Sequence, residues 1–439
     1  MLHRILVVVI AVSTLSAASL AHAQDLKYEK YPLDNGMTVI LHEDHRLPVA
    51  CVNFWYRVGA KDEPLQRSGF AHLFEHLMFM GTERVPGGDF DKIMEAGGGA
   101  NNASTSQDRT NYFSSGPASL LPTLLWLDAD RLEDLGRAMD QAKLDKQRDI
   151  VRNEIRQNVE NRPYGKSQQM TEQMLFPVGH PYHGAVYGSH EDLEAATVRN
   201  VKDFFATFYV PNNASLVVAG DFDPAKIKPL IAGLFGTLPR SGESLRVSAP
   251  PVKLDRVLRA TTLDKVQLPV LIVAYHGPAQ YAAGDAEMSL AADLLAEGLT
   301  SRLYKRLVYD DQLAVSVSAS QESQQLQSIF RIEVMAQPEA DLGRIEQVLD
   351  EELARLVKDG PTEPELEQHK ASYELSRLSE LQHIESVADR LNEYEYSFGE
   401  PNSFKRDLDR YRRVTVGGVR DWARKVLMPD ARVIIRVLP

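Results

Sequence analysis

One cysteine, Cys51, stands in 439 residues, so no disulfide can form within the chain and its stability must come from a core. Basic charge is also short: 49 Lys and Arg face 61 Asp and Glu, a net charge of −12, which disfavours nucleic acid as a partner. Past the first residues no stretch approaches 18 uninterrupted apolar residues, which argues against stable membrane insertion of the mature chain. What is present suits a core. Hydrophobic residues make up 44% and charged residues 25%, over a length that suits two domains.

The start of the chain has the parts of an export signal. Met1-Leu2-His3-Arg4 is basic, Ile5 to Val12 is apolar, and Ala21-His22-Ala23 has small residues at the cleavage spacing. A signal peptide is therefore expected over residues 1–23, with the mature chain beginning at Gln24. Ser13, Thr14, Ser16 and Ser19 interrupt the apolar run and weigh against an uncleaved anchor. The expected location is the periplasm, where a chain with a lone cysteine relies on core size.

The most informative residues are His72-Leu73-Phe74-Glu75-His76. Helical residues four apart lie one above the other, so both imidazoles can reach one metal ion with Glu75 beside them. The order inverts the common His-Glu-x-x-His of metalloproteases, but the demand is the same: metal ligands, an open position for water, and a base that is not a ligand. The surrounding run, Phe70 to Met80, is otherwise almost wholly apolar and should be buried. Two His and a Glu buried without a metal or partners would be costly.

Two His leave the site short of a ligand. Leu144 to Asn158 has helical composition with no Gly or Pro, and Gln147, Val151 and Glu154 share one face at spacings of four and three. Glu154 is the candidate third ligand, although a solvated charged helix accounts for it equally well from these residues alone.

Longer runs carry a resemblance. Gly69 to Thr82, with its His72-Leu73-Phe74-Glu75-His76, resembles the active-site helix of the pitrilysin family, which includes insulin-degrading enzyme and mitochondrial processing peptidase. Asn102 to Tyr112 resembles the strand segment after that helix, Gln147 to Glu154 the helix of its third ligand, and Tyr209 to Asp221 a later strand. The resemblance implies that His72, His76 and Glu154 bind one Zn2+, that Glu75 activates water, and that peptides are the substrates. It also implies that Asn102 and Ala103 lie on an edge strand that pairs with substrate, a mode that makes little sequence demand. One residue departs from the pattern. Where the family often has a second Glu seven residues before its third ligand, this chain has Gln147, which can hydrogen-bond but adds no charge.

The fold expected is α+β, with two related domains, each a largely antiparallel sheet flanked by helices. Asp34-Asn35-Gly36 marks a hairpin near the mature start. The first domain runs over 24–237, a linker rich in Pro, Ser and Gly over 238–256, and the second domain over 257–439 without a His-x-x-Glu-His. In that half, one long helix is expected from Glu363 to Tyr394. Single-subunit members of the family carry an Arg and, seven residues on, a Tyr that grip substrate from the half opposite the zinc; here Val308 and Val315 stand at those positions, with Arg306 or Tyr309 as substitutes if the alignment slips. The resemblance thus implies a homologous partner subunit of similar size that supplies the Arg and Tyr.

Two other functions compete. The S-ribosylhomocysteine lyases share the inverted motif but are short single domains. A non-catalytic scaffold subunit, as in respiratory-complex core proteins that resemble the family, would generally have lost the motif that this chain keeps.

Overall fold

The computed structural model describes residues 26–64, 66–242 and 246–439, so the signal expected over 1–23 lies outside the described residues. The first sheet contains β1 (Glu29–Pro32), β2 (Thr38–Glu43), β3 (Val49–Tyr56), β4 (Ala100–Thr105), β5 (Thr110–Pro117) and β6 (Ala214–Gly220), in the order β1-β2-β6-β3-β5-β4. The second contains β7 (Leu258–Leu263), β8 (Val270–Gly277), β9 (Ala314–Glu322), β10 (Ser328–Ala336) and β11 (Val433–Leu438), in the order β7-β11-β8-β10-β9. The β2–β6 and β7–β11 pairs are parallel and the others antiparallel, so the expected α+β class with two largely antiparallel sheets is what the chain forms.

Helices α1 (Phe70–Leu77), α2 (Asp89–Ala96), α3 (Leu121–Ala138), α4 (Gln141–Ile155), α5 (Gly165–Leu175), α6 (His190–Glu194), α7 (Val198–Phe208) and α8 (Pro224–Phe235) belong to the first half. Helices α9 (Asp285–Ala296), α10 (Leu342–Asp359), α11 (Glu363–Glu380), α12 (Ile384–Phe398), α13 (Phe404–Arg412) and α14 (Val416–Val426) belong to the second. The single helix expected from Glu363 to Tyr394 is therefore two, parted at Leu381–His383. No Pro or Gly forces the break. Tertiary packing does: beyond the turn, Val387, Ala388, Leu391 and Tyr394 lie buried against Ile40, Cys51, Val217 and Ala219, on the back of the first sheet.

Strand alternation explains how one sheet serves two layers. Val52, Phe54 and Tyr56 of β3 enter the core shared with α1, α3 and α8, while Cys51, Asn53 and Trp55 face α12. The loan is mutual. From the first half, Leu175 of α5 with Phe176 and Tyr182 covers Val270, Ile272, Val433 and Ile435 on the back of the second sheet. Each half thus closes the other's core.

Polar bonds fix the α12 layer. Asp389 accepts from the side chains of Asn53, Trp55 and Asn111, at 3.2, 2.8 and 2.8 Å. Asn392, fully buried, donates to the carbonyl and side-chain oxygens of Asn53 at 2.9 and 2.8 Å and accepts from Ser215 at 2.6 Å. Asn392→Ala leaves those groups unpaired in the interior and should cost about 3 kcal/mol, read as a lower denaturation midpoint in urea.

An acid pair lies between α5 and β9. Burial, then the neighbouring Glu322 carboxylate of β9, pushes Glu172 up to about 7 from its ordinary 4.5. Between those values the folded chain holds a proton that the unfolded chain has lost, so stability falls as pH rises through that window. Glu172→Gln removes the penalty, which is at most about 3 kcal/mol above pH 7 and vanishes below pH 4.5. Thermal unfolding should show the variant more stable than the parent at pH 8 and equal to it at pH 4.

Candidate metal centre

Helix α1 is set by its apolar face. Phe70, Ala71, Leu73, Phe74 and Leu77 are buried, and the Phe74 ring packs between those of Phe204 and Tyr209. That anchoring leaves His72 and His76, one turn apart, on a common side with their rings 4.8 Å apart. Helix α4 is anchored in the same way by Leu144, Val151 and Ile155, and it presents Glu154 to the histidines.

The three side chains converge. Glu154 Oε2 lies 3.5 Å from His72 Nε2 and 3.4 Å from His76 Nε2. Metal–nitrogen and metal–oxygen bonds of about 2.0–2.2 Å in a tetrahedron put ligand atoms about 3.3–3.6 Å apart. The spacing fits. Burial, then the charge of His76, pulls His72 down to about 3, so its imidazole is neutral and keeps a lone pair for a metal ion. Nδ1 of His72 is buried with no partner among the described residues, and the Tyr187 ring meets the imidazole edge-on at 4.8 Å. Two imidazoles and one carboxylate make a donor set suited to zinc, with a fourth position left for water or substrate.

Glu75 points elsewhere. Its Oε2 accepts from Thr105 Oγ1 of β4 at 2.6 Å. Burial raises its pKa, while Thr105, His76 and Arg109 pull in the opposite direction. Arg109 is itself fixed to the carbonyl and hydroxyl of Ser104 at 2.8 and 2.6 Å, and it lies over the Trp55 ring. Glu75 is thus a partly dehydrated carboxylate beside the ligand cluster, held by the hairpin of β4 and β5.

Other residues singled out from the sequence fall as follows. Asn102 and Ala103 lie on β4, which is an edge of the first sheet, and the Ala103 amide donates to Asn102 Oδ1 at 2.8 Å, a bond an incoming strand has to displace. Gln147 is buried between α1 and α4. Its amide nitrogen rests on Met80 sulfur, and its oxygen has no partner among the described residues. Val308 packs against the second core and Val315 is exposed on β9. Arg306 is engaged by Asp311 and Glu351, at 2.9 and 3.4 Å, whereas Tyr309 is exposed. Thr105 and Tyr187 received no role from the sequence. Thr105 meets Glu75 across 30 residues, and no local pattern marks such a pair.

Two family models match in tandem. "Insulinase (Peptidase family M16)" matches residues 38–176, which hold the whole cluster, and "Peptidase M16 inactive domain" matches residues 195–373. A protein named zinc protease PqqE, from Helicobacter pylori, is 29% identical over 386 residues, 87% of this chain and 86% of its own. A solved structure of a protease from Helicobacter pylori superposes with a TM-score of 0.88 at 26% identity, over 94% of this chain and 99% of that one. Pitrilysin shares the fold, with a TM-score of 0.76 at 18% identity over 94% of this chain and 45% of its own.

Proposed function

The chain belongs to the M16 family of peptidases, and on that premise we propose that it is a zinc-dependent metalloendopeptidase that cleaves unfolded peptides. One observation carries the reading: His72, His76 and Glu154 bring their ligand atoms within 4.8 Å of one another. His72, His76 and Glu154 hold the metal. When bound, zinc supplies a Lewis acid that lowers the pKa of water toward neutrality and polarises a carbonyl. Glu75 takes the proton as water attacks the peptide carbonyl and returns it to the leaving amine. Thr105 fixes the carboxylate oxygen at 2.6 Å for that transfer. Substrate lies as an added strand along β4, with Asn102 giving up its bond to Ala103.

In this reading the protein is exported to the periplasm and works as the zinc-bearing half of a heterodimer. Val308 and Val315 offer no hydrogen bond to substrate, so a homodimer would have two metal sites and no opposing grip. A homologous subunit of similar size carrying the Arg and Tyr supplies it. Purified alone, the chain should cleave an unfolded peptide weakly; adding that subunit should raise turnover and give a one-to-one complex in sedimentation. Full activity alone, without gain on mixing, sinks the heterodimer and leaves the peptidase.

A further inference from the structure

The first turn of α1 is held from outside the helix by two acids. Glu63 accepts from the Gly69 amide through Oε2 and from the Ala71 amide through Oε1, each at 2.8 Å. Asp192 Oδ2 accepts from the Ser68 amide at 2.9 Å and from its hydroxyl at 2.5 Å. The Gly69 and Ala71 amides are among those that a helix leaves without internal partners, at the end where its dipole favours negative charge, and Asp192 holds the residue just before the cap. The helix N-cap, Gly69, offers no side chain for the purpose and sits at φ +85°. Nor could it be replaced by a capping residue, since a Cβ there would lie 2.6 Å from the Tyr187 carbonyl oxygen.

Glu63 is an unusual cap. Its residue keeps some surface while its carboxylate is enclosed, and burial drives that carboxyl well above its ordinary range, against the pull of the Ala71 and Gly69 amides. Enclosing a carboxylate next to Asp62 and Asp192 is costly, so a neutral or shorter cap would be better for stability alone. What the two-oxygen grip adds is position: it clamps Ala71, the residue before His72, on the turn whose other face is buried.

We propose that Glu63 is a positioning residue for the metal centre, whose clamp on the Gly69 and Ala71 amides presets His72 before any ion arrives. The inference rests on His72 being a metal ligand, as proposed above. Glu63→Gln is nearly isosteric but presents one acceptor where two are needed and sets its own N–H groups against an amide donor. Zinc affinity of the variant, measured by chelator competition on folded metal-free chain, should fall about 10- to 100-fold, the scale for groups that orient ligands. A purely structural loss would not do this. Val273→Ala, a buried change in the second core, should lower the thermal midpoint yet leave zinc affinity within about twofold of the parent. Wild-type affinity in folded Glu63→Gln overturns the proposal.

A second measurement decides if that variant does not fold. Hydrogen exchange on the parent without metal should show the Gly69 and Ala71 amides protected as strongly as the middle of α1. Free exchange of those amides until zinc is added would mean that the ion, not Glu63, orders the turn. If instead neither the parent nor His72→Ala binds zinc measurably, it is the metal reading itself that fails.

Discussion

Glu75→Gln should lower peptide turnover by about 100-fold or more while the chain keeps its zinc. Gln preserves the shape and can still accept from Thr105, which lies 2.6 Å from the carboxylate oxygen, so the helix and hairpin should not move. What it cannot do is take a proton. Glu75 lies outside the cluster of His72, His76 and Glu154, which is why metal content should be unchanged. Parallel assays of bound zinc and initial rate separate the cases. A wild-type rate with full zinc would remove Glu75 from the chemistry, and loss of zinc would make it a ligand.

Glu154→Ala should abolish tight metal binding, weakening it by more than about 100-fold, since even groups that only orient ligands cost 10- to 100-fold. Its Oε2 is the atom on which both imidazoles converge, at 3.4 and 3.5 Å, and no other carboxylate among the described residues joins the two histidines in a cluster. The fold should survive, because α4 is anchored by Leu144, Val151 and Ile155 and Glu154 is half-buried at its rim. Zinc titration with a competing chromophoric chelator reads the loss, and circular dichroism checks the helices. Near-parent affinity would show that another group completes the site.

How much of this was legible in the chain differs from residue to residue. His72, Glu75 and His76 sit within five residues on one helix, and helical geometry alone predicts their company. Glu154 is 78 positions beyond His76, so its distance along the chain says nothing; the helical face it shares with Gln147 and Val151 made it a candidate, the resemblance of whole runs favoured it over a solvated charge, and the packing of α4 on α1 places it. The hairpin at Asn35-Gly36 was equally local and formed as expected, with β1 and β2 antiparallel. Thr105, Tyr187 and Glu63 act through tertiary contacts that carry no periodic mark. The break between α11 and α12 was hidden for the same reason: Leu381 to His383 contains no breaker, and the apolar back of the first sheet decides it. Helix α5 was missed too, its mostly polar composition masking the Leu175 end that covers the second sheet.

The central claim is that one metal ion held by this cluster drives peptide cleavage. Its most direct test is to titrate zinc into the metal-free wild-type chain, supplied with its partner subunit if one is found, and to read bound metal and cleavage of an unfolded peptide on the same samples. The account predicts that both rise together and saturate at about one equivalent per chain. Cleavage that is unchanged from zero to one equivalent, or a wild-type chain that retains no zinc, would contradict it.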